Sequence, residues 1–133
     1  MSECGLKHLD GREYYCAMEL TLQIIGGKWK PLIIHHLGQQ GTLRFNELRR
    51  TMPTITQKML TQQLRELETD GIVHREVYPQ VPPKVEYSLT ALGRTVTPVI
   101  SRLCEWGSMY EAERLAEKQN EAAQHSADKK SAA

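Results

Sequence analysis

The apolar positions of the chain fall into blocks whose period changes along its length. From Cys16 to Ile25, Met18, Leu22 and Ile25 share one helical face and Gly26-Gly27 closes the block, so a first helix is expected there. A second helix is expected from Trp29-Lys30-Pro31, because Pro fits a first helical turn. Leu32, Ile33, Ile34 and Leu37 give it a core face, and Gly38 and Gly41 punctuate its end. Leu43-Arg44 reads as a very short strand. Asn46–Met52 reads as a third helix with Leu48 inward and Arg49 and Arg50 outward, stopped by Pro53. A fourth helix runs to about Thr69 and ends at Asp70-Gly71. Thr54 and Thr56 are both suitable caps for it, and Thr54 with Gln57 has capping-box spacing. Its expected buried stripe is Met59, Leu60, Leu64 and Leu67.

After Gly71 the period shifts toward two. Ile72–Tyr78 and Lys84–Leu89 are rich in β-branched residues and Tyr, and Val85, Tyr87 and Leu89 alternate inward. The connection Pro79-Gln80-Val81-Pro82-Pro83 lacks the Asn-Gly of a tight hairpin and predicts a longer, stiff tip. Thr90 reads as the cap of a last helix carrying Leu92, Val96, Val99, Leu103, Trp106 and Tyr110, a heptad-like seam; Pro98 predicts a kink or a fresh start. The order from Arg44 to Gly93 is helix, turn, helix, hairpin. That is the plan of a winged helix-turn-helix, a mainly α fold with a small antiparallel β-hairpin.

Three segments are expected: a mobile N-terminal arm over residues 1–14, a domain over 15–119 whose last helix spans about 91–119, and a polar, disordered tail over 120–133. A monomer of this size has little on which to bury both the seam and the first helix. Dimerisation through the N- and C-terminal helices follows, with Leu22, Val99, Leu103, Trp106 and Tyr110 in the interface.

The 133 residues, 40% hydrophobic and 25% charged, suit one globular domain. The start has no apolar signal core and no run approaches the ~18 apolar residues of a membrane span, which predicts a cytoplasmic protein without a membrane partner. Three widely spaced cysteines (Cys4, Cys16, Cys104) do not make a disulfide framework. Net charge is only +1, but its distribution is uneven. Between Gly26 and Lys58 lie Lys28, Lys30, Arg44, Arg49, Arg50 and Lys58 against Glu47 alone, whereas acids outnumber bases from Glu105 to Glu121.

On the fourth helix, Gln57, Lys58, Thr61, Gln62 and Arg65 fall opposite the apolar stripe, and these side-chain types reach phosphates and base edges. With Arg44 and Arg49 beside them and Arg75 and Lys84 on the wing, they form the expected contact set for double-stranded DNA. Other patterns lead nowhere. Gly26-Gly27-Lys28 lacks the spacing and the Ser/Thr of a phosphate-binding loop. His35 and His36 point to different faces, and His8, His74 and His125 converge on nothing, so neither a metal nor another cofactor is expected. No nucleophile–base–orienter set points to an enzyme.

Four stretches also resemble the HxlR-type bacterial transcriptional regulators, a winged-helix group akin to the MarR regulators: IGGKW at 25–29, RFNELRR at 44–50, K-x-LT-x-x-LRELE-x-DG at 58–71 and VYPQVPPKVEYSLT-x-x-G at 77–93. The resemblance implies a homodimer on a palindromic operator, acting as repressor or activator. It also implies a role for Cys16, since several members carry a cysteine just before the first helix that senses electrophiles, quinones or oxidants. The usual pattern has Pro after that cysteine; this chain has Ala17. Tyr14 and Tyr15 are placed to shield the thiol, and Lys28 and Lys30 to approach it. Cys104 is expected in core or interface, and Cys4, on the arm, within reach of another subunit's thiol. Two other readings remain open at this point: a small-molecule effector between the dimer helices, lined by Trp29, Trp106 and Tyr110, and a winged-helix protein–protein adaptor without an operator.

Overall fold

The structure, a computed structural model, describes residues 5–132; Cys4 lies outside the described residues. The chain divides into two compact units, one ending at Thr97 and one beginning at Pro98.

The first unit opens with strands β1 (Lys7–Leu9) and β2 (Arg12–Tyr14), paired antiparallel in the register Lys7↔Tyr14. Residues 1–14 had shown no periodicity, so this hairpin corrects the expected featureless arm. Its turn is Asp10-Gly11, with φ of 49° and 78°, a left-handed pair that Asp and Gly tolerate. The hairpin is tied down at two points. The Arg12 guanidinium donates to Asp70 Oδ2 at 2.7 Å, and Gln23 Nε2 donates to the Glu13 carbonyl at 2.9 Å. The Asp70 hydrogen bond, first among the causes, raises the Arg12 pKa above its ordinary value.

Helices α1 (Ala17–Ile25) and α2 (Trp29–Gln40) follow. On α1 only Ile25 is buried; Met18 and Leu22 are 72% and 61% exposed, so the apolar face splits between core and surface. Helix α2 buries Ile33, Ile34 and Leu37. It passes through Gly38 and ends at Gly41 (φ 78°), so of the two expected stops only the second operates. The His36 ring on α2 is partly buried, and its Nδ1 has no hydrogen-bond partner among the described residues. Burial, and then the adjacent His35, push its pKa below the ordinary imidazole value.

Strand β3 (Leu43–Arg44) leads into α3 (Phe45–Arg50), slightly shorter than Asn46–Met52, with Leu48 fully buried. Helix α4 (Gln57–Thr69) is capped by Thr56, whose hydroxyl accepts from the Met59 N–H at 3.0 Å; Thr54 is not the cap. Leu60, Leu64 and Leu67 are buried, each worth about 1.5–3 kcal/mol of transfer free energy. Met59, expected in that stripe, is at the surface. Gly71 (φ 77°) turns the chain into β4 (Val73–Tyr78), which pairs antiparallel with β5 (Lys84–Leu89). The sheet order is β3-β5-β4, so β5 is central and Leu43 lies opposite Tyr87. Thr90 caps only a short helix α5 (Ala91–Arg94), accepting from the Gly93 N–H at 2.9 Å.

The last helix restarts as α6 at Thr97, one residue before Pro98, and continues to Ala132. It runs through the stretch expected to be disordered, because the Ala, Glu, Lys and Gln there are strong helix formers. In this second unit Val99, Leu103, Trp106 and Tyr110 are all exposed, and the rings of Trp106 and Tyr110 stack at 5.3 Å.

Candidate nucleic-acid interface

The first unit presents a polar surface built on α4. With Leu60, Leu64 and Leu67 turned into the core, the 3.6-residue period turns Gln57, Lys58, Thr61, Gln62 and Arg65 outward. All five are exposed and line one shallow open depression. The first turn of α4 carries no acid, so the N-terminal end keeps its uncompensated positive dipole. Thr61 Oγ donates to the Gln57 carbonyl at 2.8 Å, leaving its lone pairs as the free function. Gln57, Gln62, Lys58 and Arg65 therefore supply the donors of this surface.

A second depression adjoins it through Thr61 and Arg65, and two more lie on α3 and the wing tip. Thr61, Leu64, Arg65 and Glu68 of α4 meet Arg75 and Tyr87 of the wing. Arg44, Phe45, Asn46, Glu47 and Arg50 meet Pro83, Lys84 and Val85 near the wing tip. Arg49 shares the last recess with Asn46, Arg50 and Pro53. The sequence-derived set thus falls into two groups of recesses: Gln57, Lys58, Thr61, Gln62, Arg65 and Arg75 on α4 and the wing, and Arg44, Arg49 and Lys84 on α3 and the wing tip. Asn46, Arg50, Glu68 and Tyr87 also line these recesses, beyond the contact set that residue types and spacing suggest. Arg50 was marked as an outward base, and Tyr87 was assigned to the inner face by alternation; only the register Arg75↔Tyr87 places that ring beside α4.

Electrostatics divide the bases. Lys30 forms an ion pair with Glu66 at 2.9 Å with its side chain largely buried, and Lys28 sits 4.5 Å above the Trp29 ring. These two are thereby engaged with Glu66 and Trp29. Glu47 is engaged too: its carboxylate accepts from the Arg44 backbone N–H at 2.8 Å. Lys84 is paired with Glu86 at 2.9 Å. Among the described residues, Lys58, Arg65, Arg75, Arg49 and Arg50 form no ion pair.

Cys16 is exposed and occupies the N-cap of α1 in an extended conformation (φ −136°, ψ 161°), with no side-chain capping bond. Cys104 is exposed on α6. Among the described residues no group of His, Cys, Asp or Glu is placed to hold a metal ion, and no helix is long and apolar enough to cross a membrane.

The model of the family described as HxlR-like helix-turn-helix matches residues 24–115. An HTH-type transcriptional regulator of Bacillus subtilis (strain 168), YdeP, is 62% identical over 95 residues, 71% of this chain and 73% of the relative. Among solved structures, the redox regulator HypR in its oxidized form matches at 62% identity and a TM-score of 0.67, over 71% of this chain and 96% of that one. The reduced form of the transcriptional regulator YodB from B. subtilis matches at 41% identity and a TM-score of 0.62, over 71% and 93%. The winged helix, the motif order and these likenesses agree: the chain belongs to the HxlR-like helix-turn-helix family of transcriptional regulators.

Proposed function

We propose that the chain is a cytoplasmic, homodimeric, sequence-specific regulator that binds a palindromic operator in double-stranded DNA. One observation carries this reading: Gln57, Lys58, Thr61, Gln62 and Arg65 are exposed together on the acid-free half of a capped, well-buried helix. A helix of that kind enters the major groove, where Gln reads adenine and Arg reads guanine, while bases on α3 and the wing hold phosphates. In the dimer two α4 helices lie about one DNA turn apart, ~34 Å. Selection of bound duplexes from a random pool, followed by titration over a salt series, tests it. Affinity falls steeply with salt. Arg65→Ala and Gln62→Ala lower the preference for the selected sequence by about 1–3 kcal/mol per half-site, whereas Lys84→Ala weakens selected and random duplexes alike. Equal losses on both DNAs for all three variants contradict the assigned roles, and absence of salt-sensitive duplex binding favours an adaptor instead.

The signal in this reading is thiol chemistry at Cys16. An exposed cysteine at the N-cap of α1, free of a capping bond, supports it, as does the 62% identity to a redox regulator. Such a thiol adds to a quinone: an S–C bond forms as a ring C=C bond breaks, the thiol proton passes to one carbonyl oxygen, and the proton on the attacked ring carbon shifts to the other, leaving a hydroquinone thioether. Treating the reduced protein with a quinone shifts operator affinity at least several-fold, and Cys16→Ser abolishes the shift. A shift that survives in Cys16→Ser places the signal elsewhere, in a ligand site or another thiol.

A further inference from the structure

Lys84, at the start of the central strand of the wing, does not stand free for a phosphate. Its Nζ lies 2.9 Å from Glu86 Oε1, two residues along the same strand, and 4.9 Å from the centroid of the Tyr78 ring opposite. The Tyr78 hydroxyl in turn lies 3.5 Å from Glu86 Oε2. The lysine and glutamate side chains are only 28% and 21% exposed, while the ion pair Arg102–Glu105 on α6 is 82% and 65% exposed. Glu86 also has Arg44 opposite it on β3 and a second acid, Glu76, opposite it on β4. Like charges directly opposite on a ladder repel, and here each acid has its own partner: His74 at 2.7 Å from Glu76, Lys84 at 2.9 Å from Glu86. Moving Lys84 onto a phosphate strips Glu86 of its partner beside both Glu76 and the DNA backbone.

We infer that Glu86 is an internal competitor for the wing's phosphate contact, a positioning residue that holds Lys84 and so lowers affinity for every DNA sequence. The inference rests on the DNA-binding reading above. Its effect is uniform because phosphate contacts carry no sequence information. It sets how tightly the regulator holds DNA, leaving sequence choice to α4.

The test compares wild type, Glu86→Gln, Lys84→Ala, the double variant and Glu76→Gln in the full chain, on selected and random duplexes across a salt series. Glu86→Gln tightens both duplexes by the same factor, about 2–5-fold per wing, the range of a surface ion pair. It also steepens the salt dependence by roughly one released counterion per wing. The gain disappears in the Lys84→Ala background. Unchanged or weaker binding by Glu86→Gln overturns the inference. So does a gain that persists without Lys84 or is matched by Glu76→Gln, since that is a bulk change of charge. Glu86→Ala, with the same outcomes required, covers the case in which Glu86→Gln melts below wild type. Wild type binding DNA with no Glu86 effect removes only this inference; wild type failing to bind duplex removes the DNA-binding reading and this inference with it.

Discussion

Gly93→Ala destabilises the first unit by about 3 kcal/mol and lowers its melting temperature by more than ~10 °C. A Cβ built on Gly93 overlaps the Ile72 carbonyl oxygen and meets its carbon at 3.1 Å. Both are backbone atoms, and no side-chain rotation relieves the clash. The oxygen cannot retreat cheaply either, since it accepts from the Thr90 N–H at 3.1 Å and shares the Thr90 hydroxyl proton with the Gly71 carbonyl. Those bonds pin the start of the wing to the cap of α5, so a shift breaks them or opens the β4 end of the sheet. Gly107→Ala on α6 is the control: its Cβ meets nothing within 4 Å, and Ala is the better helix former by about 1 kcal/mol. Thermal melts of the two variants read the difference directly. A loss below about 1 kcal/mol for Gly93→Ala contradicts the close approach of α5 to β4.

Much of this fold was legible because α4 and the wing obey strict periods. Leu60, Leu64 and Leu67 are buried as their spacing requires, and the outward residues follow by exclusion. Met59 departs because it stands one position around the helix from Leu60, at the edge of the stripe, where a flexible side chain can lie along the surface. The N-terminal hairpin was missed for a different reason. Its Asp-Gly turn is a standard hairpin signal, but the strands on either side are three residues long and carry no alternating apolar face. Thr54 lost the cap to Thr56 because both have the right chemistry, and only the backbone decides which precedes the first helical residue. For the candidate site, residue types and spacing sufficed to name the outward face of α4. The pairing of charges was not legible. Lys30 with Glu66 and Arg12 with Asp70 are contacts between elements far apart in sequence, and Lys84 with Glu86 depends on two side chains sharing one face of a strand. Counting bases between Gly26 and Lys58 therefore overstated the free positive charge.

Trp106→Glu converts the proposed dimer to monomer at micromolar concentration and weakens operator binding more than about 100-fold. Val99, Leu103, Trp106 and Tyr110 step along one stripe of α6, all exposed, and Trp106 alone is 61% exposed. A stripe of large exposed apolar residues along a helix, flanked here by exposed Met109 and Leu115, matches the seam of a helix pair, and Trp is among the residue types that most often dominate such an interface. The stacked Trp106 and Tyr110 rings make one rigid apolar block at its centre. Glu at that position forces a charge out of water in the paired helices. The DNA effect follows from linkage rather than from any contact of Trp106 with DNA. Two half-sites bound by one dimer gain an effective local concentration in the millimolar range, and a monomer forgoes it. The signature is therefore specific: light scattering shows the monomer, full-operator affinity collapses, and affinity for an isolated half-site matches that of wild type. A variant that stays dimeric, or that loses half-site binding equally, places the interface elsewhere on the chain and returns the apolar stripe to another partner.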